Sequence, residues 1–294
     1  MKVSRERDFV AKDYWEQRLT EKWGLHGVGQ ISYGLPYNQW LYRVRKHVFR
    51  RSLRSLGIQI SDAKVLDVGS GTGFWLEEWK RQGAQSVTGS DLTEVAVMGL
   101  RRKHPDISVL QLDITDSEAP QRFPGGFDIV SAFDVLFHIT DDEKYASAIT
   151  NIAHLLRPKG YFIFSDNLAR TRALRQIHEV DRTIGQITEV LERNGLRIQQ
   201  RVPVFVLMNA PFDALSGVPR FLWRAMMSPV RLAPPLGHAY GATLFPLELL
   251  LSMALKEGLS TQMIICQKSG KRECVETGER MMHGGDGRRA DTGR

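Results

Sequence analysis

One pattern constrains this chain more than any other. Between Lys64 and Asp166, short apolar runs alternate strictly with longer amphipathic ones. KVLDV (64–68), SVTGSD (86–91), ISVLQLD (107–113), FDIVSAF (127–133) and YFIFSD (161–166) have the length and composition of strands. Segments 74–81, 93–104 and 141–156 place apolar residues at helical spacing, the last stopped by Arg157-Pro158-Lys159-Gly160. Such alternation predicts an α/β fold with a doubly wound, mostly parallel sheet. Right-handed crossovers then put helices on both faces. Two later strands, 196–208 and 261–268, bring the expected sheet to seven strands.

The flanks read differently. Residues 1–60 are expected to form an N-terminal helical cap, with helices at 12–23 and 41–56 around a Gly-rich loop. The main domain is expected over 61–269. Within it, 171–195 reads as one long helix ending at Asn194-Gly195. Residues 209–256 carry Pro211, Pro219, Pro229, Pro234, Pro235 and Pro246 and are expected to be a helical insertion serving as lid or acceptor region. Residues 270–294 lack apolar periodicity and are expected to be disordered.

The first strand ends at Asp67 and runs into Gly69, Ser70, Gly71 and Gly73, a G-x-G-x-G loop opening a helix. Glycines let the backbone turn sharply and approach a ligand, and the helix start offers amide groups to an anion. A dinucleotide loop would need a glycine at position 74, where this chain has Phe74. The motif resembles instead that of the class I, Rossmann-like S-adenosylmethionine-dependent methyltransferases, in the small-molecule branch that includes the ubiquinone and menaquinone methyltransferases. The resemblance stays in register through QLDIT, FDIVSAFDVLFHI and LLRPKGYFIFSD.

That resemblance implies S-adenosyl-L-methionine as cofactor. It implies that Asp67 and the glycine loop support the methionine part. Asp91, ending the second strand beside Leu92, is placed to accept the ribose hydroxyls. Asp113 would receive the adenine amino group, with Ile114 beside the ring. Phe133, Asp134 and His138 would line cofactor and acceptor. His138 is the first candidate for a general base, since histidine titrates near neutrality; His178 and Asp166 are weaker candidates. Tyr33 and Tyr37 are expected to close over the cofactor. Asp134, Asp166 and Asn167 are oxygen ligands in type, but VLFHI after Asp134 resembles the metal-independent branch, and no metal is expected.

Composition narrows the partners. The net charge is +7, with basic runs at 41–56 and in the tail. A basic run attracts phosphates, nucleic acid or anionic lipid, although a solvated helix face and a loose tail account for it more simply. Cys266 and Cys274 match no zinc or disulfide framework. No long uncharged apolar run or signal-like start is present, so a cytoplasmic protein with at most peripheral membrane contact is expected. The fourth strand lacks N-P-P-Y or D-P-P-Y, and no nucleic-acid module is evident. The expected acceptor is a small, apolar molecule, lipid-like or phosphate-bearing, methylated by preference at oxygen. The rival readings are an RNA- or protein-modifying methyltransferase and a non-catalytic cofactor-binding scaffold.

Overall fold

The alternating runs pair edge to edge. In the computed structural model, which describes residues 10–212, 217–258 and 260–270, they form β1 (Lys64–Val68), β2 (Ser86–Asp91), β3 (Ser108–Gln111), β4 (Phe127–Phe133) and β5 (Leu156–Ala169). Then follow β6 (Leu174–Arg175), β7 (Val180–Thr183), β8 (Leu196–Pro203) and β9 (Thr261–Lys268). β3-β2-β1-β4-β5 lie parallel in that order. β9 pairs antiparallel with both β5 and β8, which completes the expected seven-stranded frame. The short β6–β7 hairpin hangs from the end of β5, where Leu168 pairs with Arg182.

The helices are α1 (Ala11–Glu21), α2 (Leu25–Val28), α3 (Gly34–Ser55), α4 (Phe74–Arg81), α5 (Glu94–Lys103), α6 (Asp142–Leu155), α7 (Ile184–Arg193), α8 (Gly217–Leu232) and α9 (Gly237–Ala254). One apolar cluster fills the sheet face under α3, α4 and α5, and a second fills the face under α6 and α7. α3 buries Tyr37, Leu41, Val44, Val48 and Phe49 on a single stripe. Each large side chain buried this way contributes about 1.5–3 kcal/mol. The long N-terminal helix α3 therefore shares the core of the sheet domain.

Two sequence expectations are corrected. The helix expected over 171–195 is only α7; residues 174–175 and 180–183 are strands. Pairing with β5 outweighs local propensity there, and a reciprocal capping box between Thr183 and Gln186 sets the true start of the helix. α3 begins at Gly34, well before position 41, because Pro36 sits in the first turn, where a missing N–H costs nothing. Tyr33 and Tyr37 thus belong to the core. The Tyr37 hydroxyl donates to Met208 O at 2.7 Å. The tail from 271 onward, with Cys274, lies outside the described residues.

Candidate active site

β1 and β4 are neighbours in the sheet, while the chain winds outward from them in opposite senses. The crevice above their carboxyl ends is the switch point at which such sheets hold ligands. Three loops converge there. After β1, Gly69, Gly71 and Gly73 have φ of 68°, 53° and 88°, in the left-handed region that favours glycine. A Cβ on Gly69 would stand 2.4 Å from Val135 Cγ2, so even a methyl group is excluded.

The loop is pinned from the neighbouring strand. Ser70 N donates to Ser90 O at 2.8 Å, and Gly71 N to Asp91 Oδ2 at 2.8 Å. Asp91 Oδ1 accepts from Thr93 N at 3.0 Å and Thr93 Oγ1 at 2.8 Å. A carboxylate has about four acceptor positions, so these bonds use most of Asp91 and still leave a lone pair for the cleft it lines. Burial, chiefly, raises its pKa.

Asp67 lies behind the loop, 1% exposed. Its Oδ1 accepts from Ser131 Oγ at 2.6 Å, and that hydroxyl accepts from Trp79 Nε1 at 3.0 Å. Its Oδ2 is buried with no hydrogen-bond partner, and burial pushes its pKa up to about 7. An unsatisfied buried oxygen costs about 1–3 kcal/mol.

After β4 comes Asp134, a non-glycine residue at φ 57°. Its N–H donates to Ser165 Oγ at 2.8 Å, and that hydroxyl donates back to Oδ1 at 2.8 Å. Arg45 reaches in from α3 to Oδ2 at 2.7 Å. These contacts hold a backbone conformation that would otherwise be strained. Phe133 stacks on Trp75 with ring centroids 3.8 Å apart.

One turn on, His138 Nδ1 lies 2.9 Å from His178 O. A carbonyl only accepts, so Nδ1 carries the proton and Nε2 is left as the acceptor. Burial, chiefly, lowers the imidazole pKa to about 4, so the ring is neutral around pH 7. Asp113 Oδ1 accepts from Thr115 N at 2.9 Å and Thr115 Oγ1 at 2.7 Å. Ile114 is buried, its carbonyl held by Asn151 Nδ2 at 2.8 Å.

Gly69, Ser70, Gly71, Asp91, Leu92, Asp113, Ile114, Phe133, Asp134 and His138 line one cleft. Asp67 and Gly73 lie behind its wall. Asp166, Asn167, His178, Tyr33 and Tyr37 are not among its lining residues. Asp166 is buried, with Oδ1 accepting from Asn167 N at 2.8 Å, and Asn167 Oδ1 accepts from Thr261 Oγ1 at 2.9 Å. None of the described residues of 209–256 lines the cleft; α9 packs on α3 instead.

The cover comes from α1, which sequence reasoning had not placed at the site. Trp15 and Leu19 line the cleft, and Trp15 meets His138 edge-on at 5.0 Å. Glu16 anchors the helix, accepting from Glu94 N at 2.9 Å and Val95 N at 2.8 Å at the amino end of α5. Glu16→Ala removes that cap, worth about 0.5–2 kcal/mol. Cofactor dissociation, followed by stopped flow, should accelerate by a comparable factor; an unchanged rate would mean that α1 does not gate the cleft.

A family model described as a methyltransferase domain matches residues 39–201. The chain belongs to this methyltransferase-domain family. It is 34% identical over 116 residues to the ubiquinone biosynthesis O-methyltransferase of Serratia proteamaculans, covering 39% of this chain and 46% of that one. It is 24% identical over 178 residues to a probable S-adenosylmethionine-dependent methyltransferase of Mycolicibacterium smegmatis, covering 58% and 65%. This methyltransferase-family chain thus spans about half the length of the first of these relatives. The magnesium protoporphyrin IX methyltransferase of Synechocystis PCC 6803 with bound SAM shares its fold, with TM-score 0.53 and 16% identity over 92% of this chain and 100% of that one.

Proposed function

We propose that this protein transfers a methyl group from S-adenosylmethionine to an oxygen of a small, apolar acceptor. The observation that carries the cofactor assignment is the glycine loop, with Gly69 and Gly71 at φ 68° and 53°, on the wall of a cleft that Asp91, Asp113 and Ile114 also line. Such a loop fits close approach of a ligand to backbone, and Asp67 behind it supplies a carboxylate that would attract a ligand ammonium. Asp91 would hold the ribose, and Asp113 with Ile114 the adenine. When bound, the cofactor supplies a methyl group already activated on a positively charged sulfur. The protein's part is alignment and proximity.

The acceptor assignment rests on the rest of the cleft. Trp15, Leu19, Val28, Phe74, Val135 and Ile139 give it apolar walls, as small-molecule pockets have. His138 Nε2 would take the proton from the acceptor oxygen. With a pKa of about 4, it is a weak base, matched to a phenolic or enolic hydroxyl better than to an alcohol. The Serratia relative, 34% identical over 116 residues, is a ubiquinone biosynthesis O-methyltransferase, which agrees with oxygen as the acceptor atom.

Calorimetric titration with S-adenosylmethionine, S-adenosylhomocysteine and NAD tests the cofactor. The adenosyl compounds should bind and NAD should not; failure of both adenosyl compounds overturns the reading. The pH dependence tests Asp67. Its folded pKa of about 7 lies above the ordinary 3.8, so the neutral carboxyl contributes stability at low pH that is lost as pH rises through 7. A ligand ammonium seated on the loop favours the charged form of the carboxylate behind it and releases a proton. Affinity should therefore rise toward about tenfold per pH unit between pH 5 and 7, then level off. A flat profile without proton release would remove Asp67 from the site.

A further inference from the structure

α8 and α9 present an unusual surface to solvent. On α8, Phe221, Leu222 and Leu232 stand 70%, 60% and 86% exposed, on a stripe turned away from the buried Met227 and Val230. Arg220, Arg224 and Arg231 follow one flank of that stripe. On α9, Leu250 and Met253 are 63% and 65% exposed. α9 contains no Lys, Arg or Asp; its one carboxylate, Glu248, turns inward to accept from Leu207 N at 2.8 Å and Met208 N at 2.6 Å. A water-facing helix ordinarily carries charge on its outer face, and exposed apolar side chains grouped along a helix mark a contact surface.

Beside this patch, His47, Arg51 and Arg54 share a depression with Leu249 and Met253. Arg51 donates to Ser252 O at 2.9 Å and Arg54 to Arg50 O at 3.1 Å. Both acceptors are neutral, and among the described residues no carboxylate pairs with either guanidinium. Cationic side chains thus flank the exposed apolar residues of each helix.

We propose that the α8–α9 face rests on an anionic phospholipid surface, with the apolar stripes in the acyl boundary and the basic rows on headgroup phosphates. Charge favours this occupant over a second copy of the chain. A two-fold contact would set the same basic rows against each other, and the α8–α9 pair exposes no acid to answer them. No helix among the described residues is long and apolar enough to cross a membrane, so the attachment is interfacial. α3 joins the two regions, reaching Asp134 through Arg45 and Ser252 through Arg51. Delivery of a lipid-soluble acceptor to the cleft would follow; that consequence rests on the methyl-transfer reading, whereas the docking does not.

The test is flotation of the full chain with vesicles of phosphatidylcholine alone or with about a third phosphatidylglycerol. The anionic vesicles should carry roughly tenfold more protein, and added salt should reduce it. Phe221→Glu with Leu250→Glu should lower binding about tenfold or more, and Arg54→Gln or Arg224→Gln about fivefold each. Thermal melting checks folding; if the glutamates unfold the chain, Phe221→Ser with Leu250→Ser decides. Equal recovery with and without anionic lipid, or flotation unaffected by the variants, overturns the proposal. So does a dimer in light scattering that Leu250→Glu dissociates, with no flotation, which would make the face an interface between copies. A chain that floats yet binds no S-adenosylmethionine would sink the methyl-transfer reading and leave the docking intact.

Discussion

Replacing His138 with alanine is expected to slow methyl transfer by roughly 10²- to 10⁴-fold and to change affinity for S-adenosylmethionine by less than about threefold. The reason is positional. The Nδ1–H is committed to His178 O at 2.9 Å, which leaves Nε2 unprotonated on a residue that lines the cleft with Asp134. The fall should appear in kcat, measured as S-adenosylhomocysteine formed with a phenolic acceptor. His138→Gln separates chemistry from packing, because it fills much of the space against Trp15 and Phe137 without restoring a base. The pH profile is a second readout. A folded pKa of about 4 means that His138 stays neutral down to mildly acidic pH, so its contribution to kcat should be level above about pH 5. An ordinary histidine would lose activity below about pH 6.5. Burying the neutral form also means that stability is lost as pH falls from about 6.5 toward 4. Unchanged turnover in the alanine variant would remove His138 from the mechanism.

Asp91→Ala is expected to weaken S-adenosylmethionine binding by about 1.5–3 kcal/mol, the worth of hydrogen bonds to a charged acceptor, or roughly 10- to 150-fold. It should also destabilise the unbound protein. Gly71 N, Thr93 N and Thr93 Oγ1 all donate to this carboxylate, and orphaned buried donors cost about 1–3 kcal/mol. Calorimetry and thermal melting together distinguish the two effects. Lower stability with unchanged affinity would make Asp91 a pin for the glycine loop only. Asp91→Asn keeps one acceptor oxygen, so it should recover part of the stability and less of the affinity.

Much of the site was legible in the sequence because its residues lie at strand ends. A G-x-G-x-G loop after an apolar run needs left-handed backbone, and Gly69, Gly71 and Gly73 adopt it. Asp91, Asp113 and Asp134 reach the cleft because parallel strands bring their carboxyl ends to one edge. The cover was not legible. Trp15 and Leu19 look like any apolar stripe on a helix, and only the docking of Glu16 on α5 puts them over the cleft. Tyr33 and Tyr37 looked like a gate because their stretch read as a Gly-rich loop, whereas Tyr37 lies on α3 and Tyr33 in the turn before it, both buried.

The sequence by itself determined the alternation of strands and helices, the strand order's parallel core and the glycine loop, since each depends on local periodicity and backbone freedom. Tertiary structure decided where helices begin between 171 and 195, which arginines of α3 are spent on Asp134 and Glu78, and how far burial moves Asp67 and His138 from their ordinary pKa values. These depend on partners distant in the chain and on exclusion of water, neither of which is encoded in any short stretch of residues.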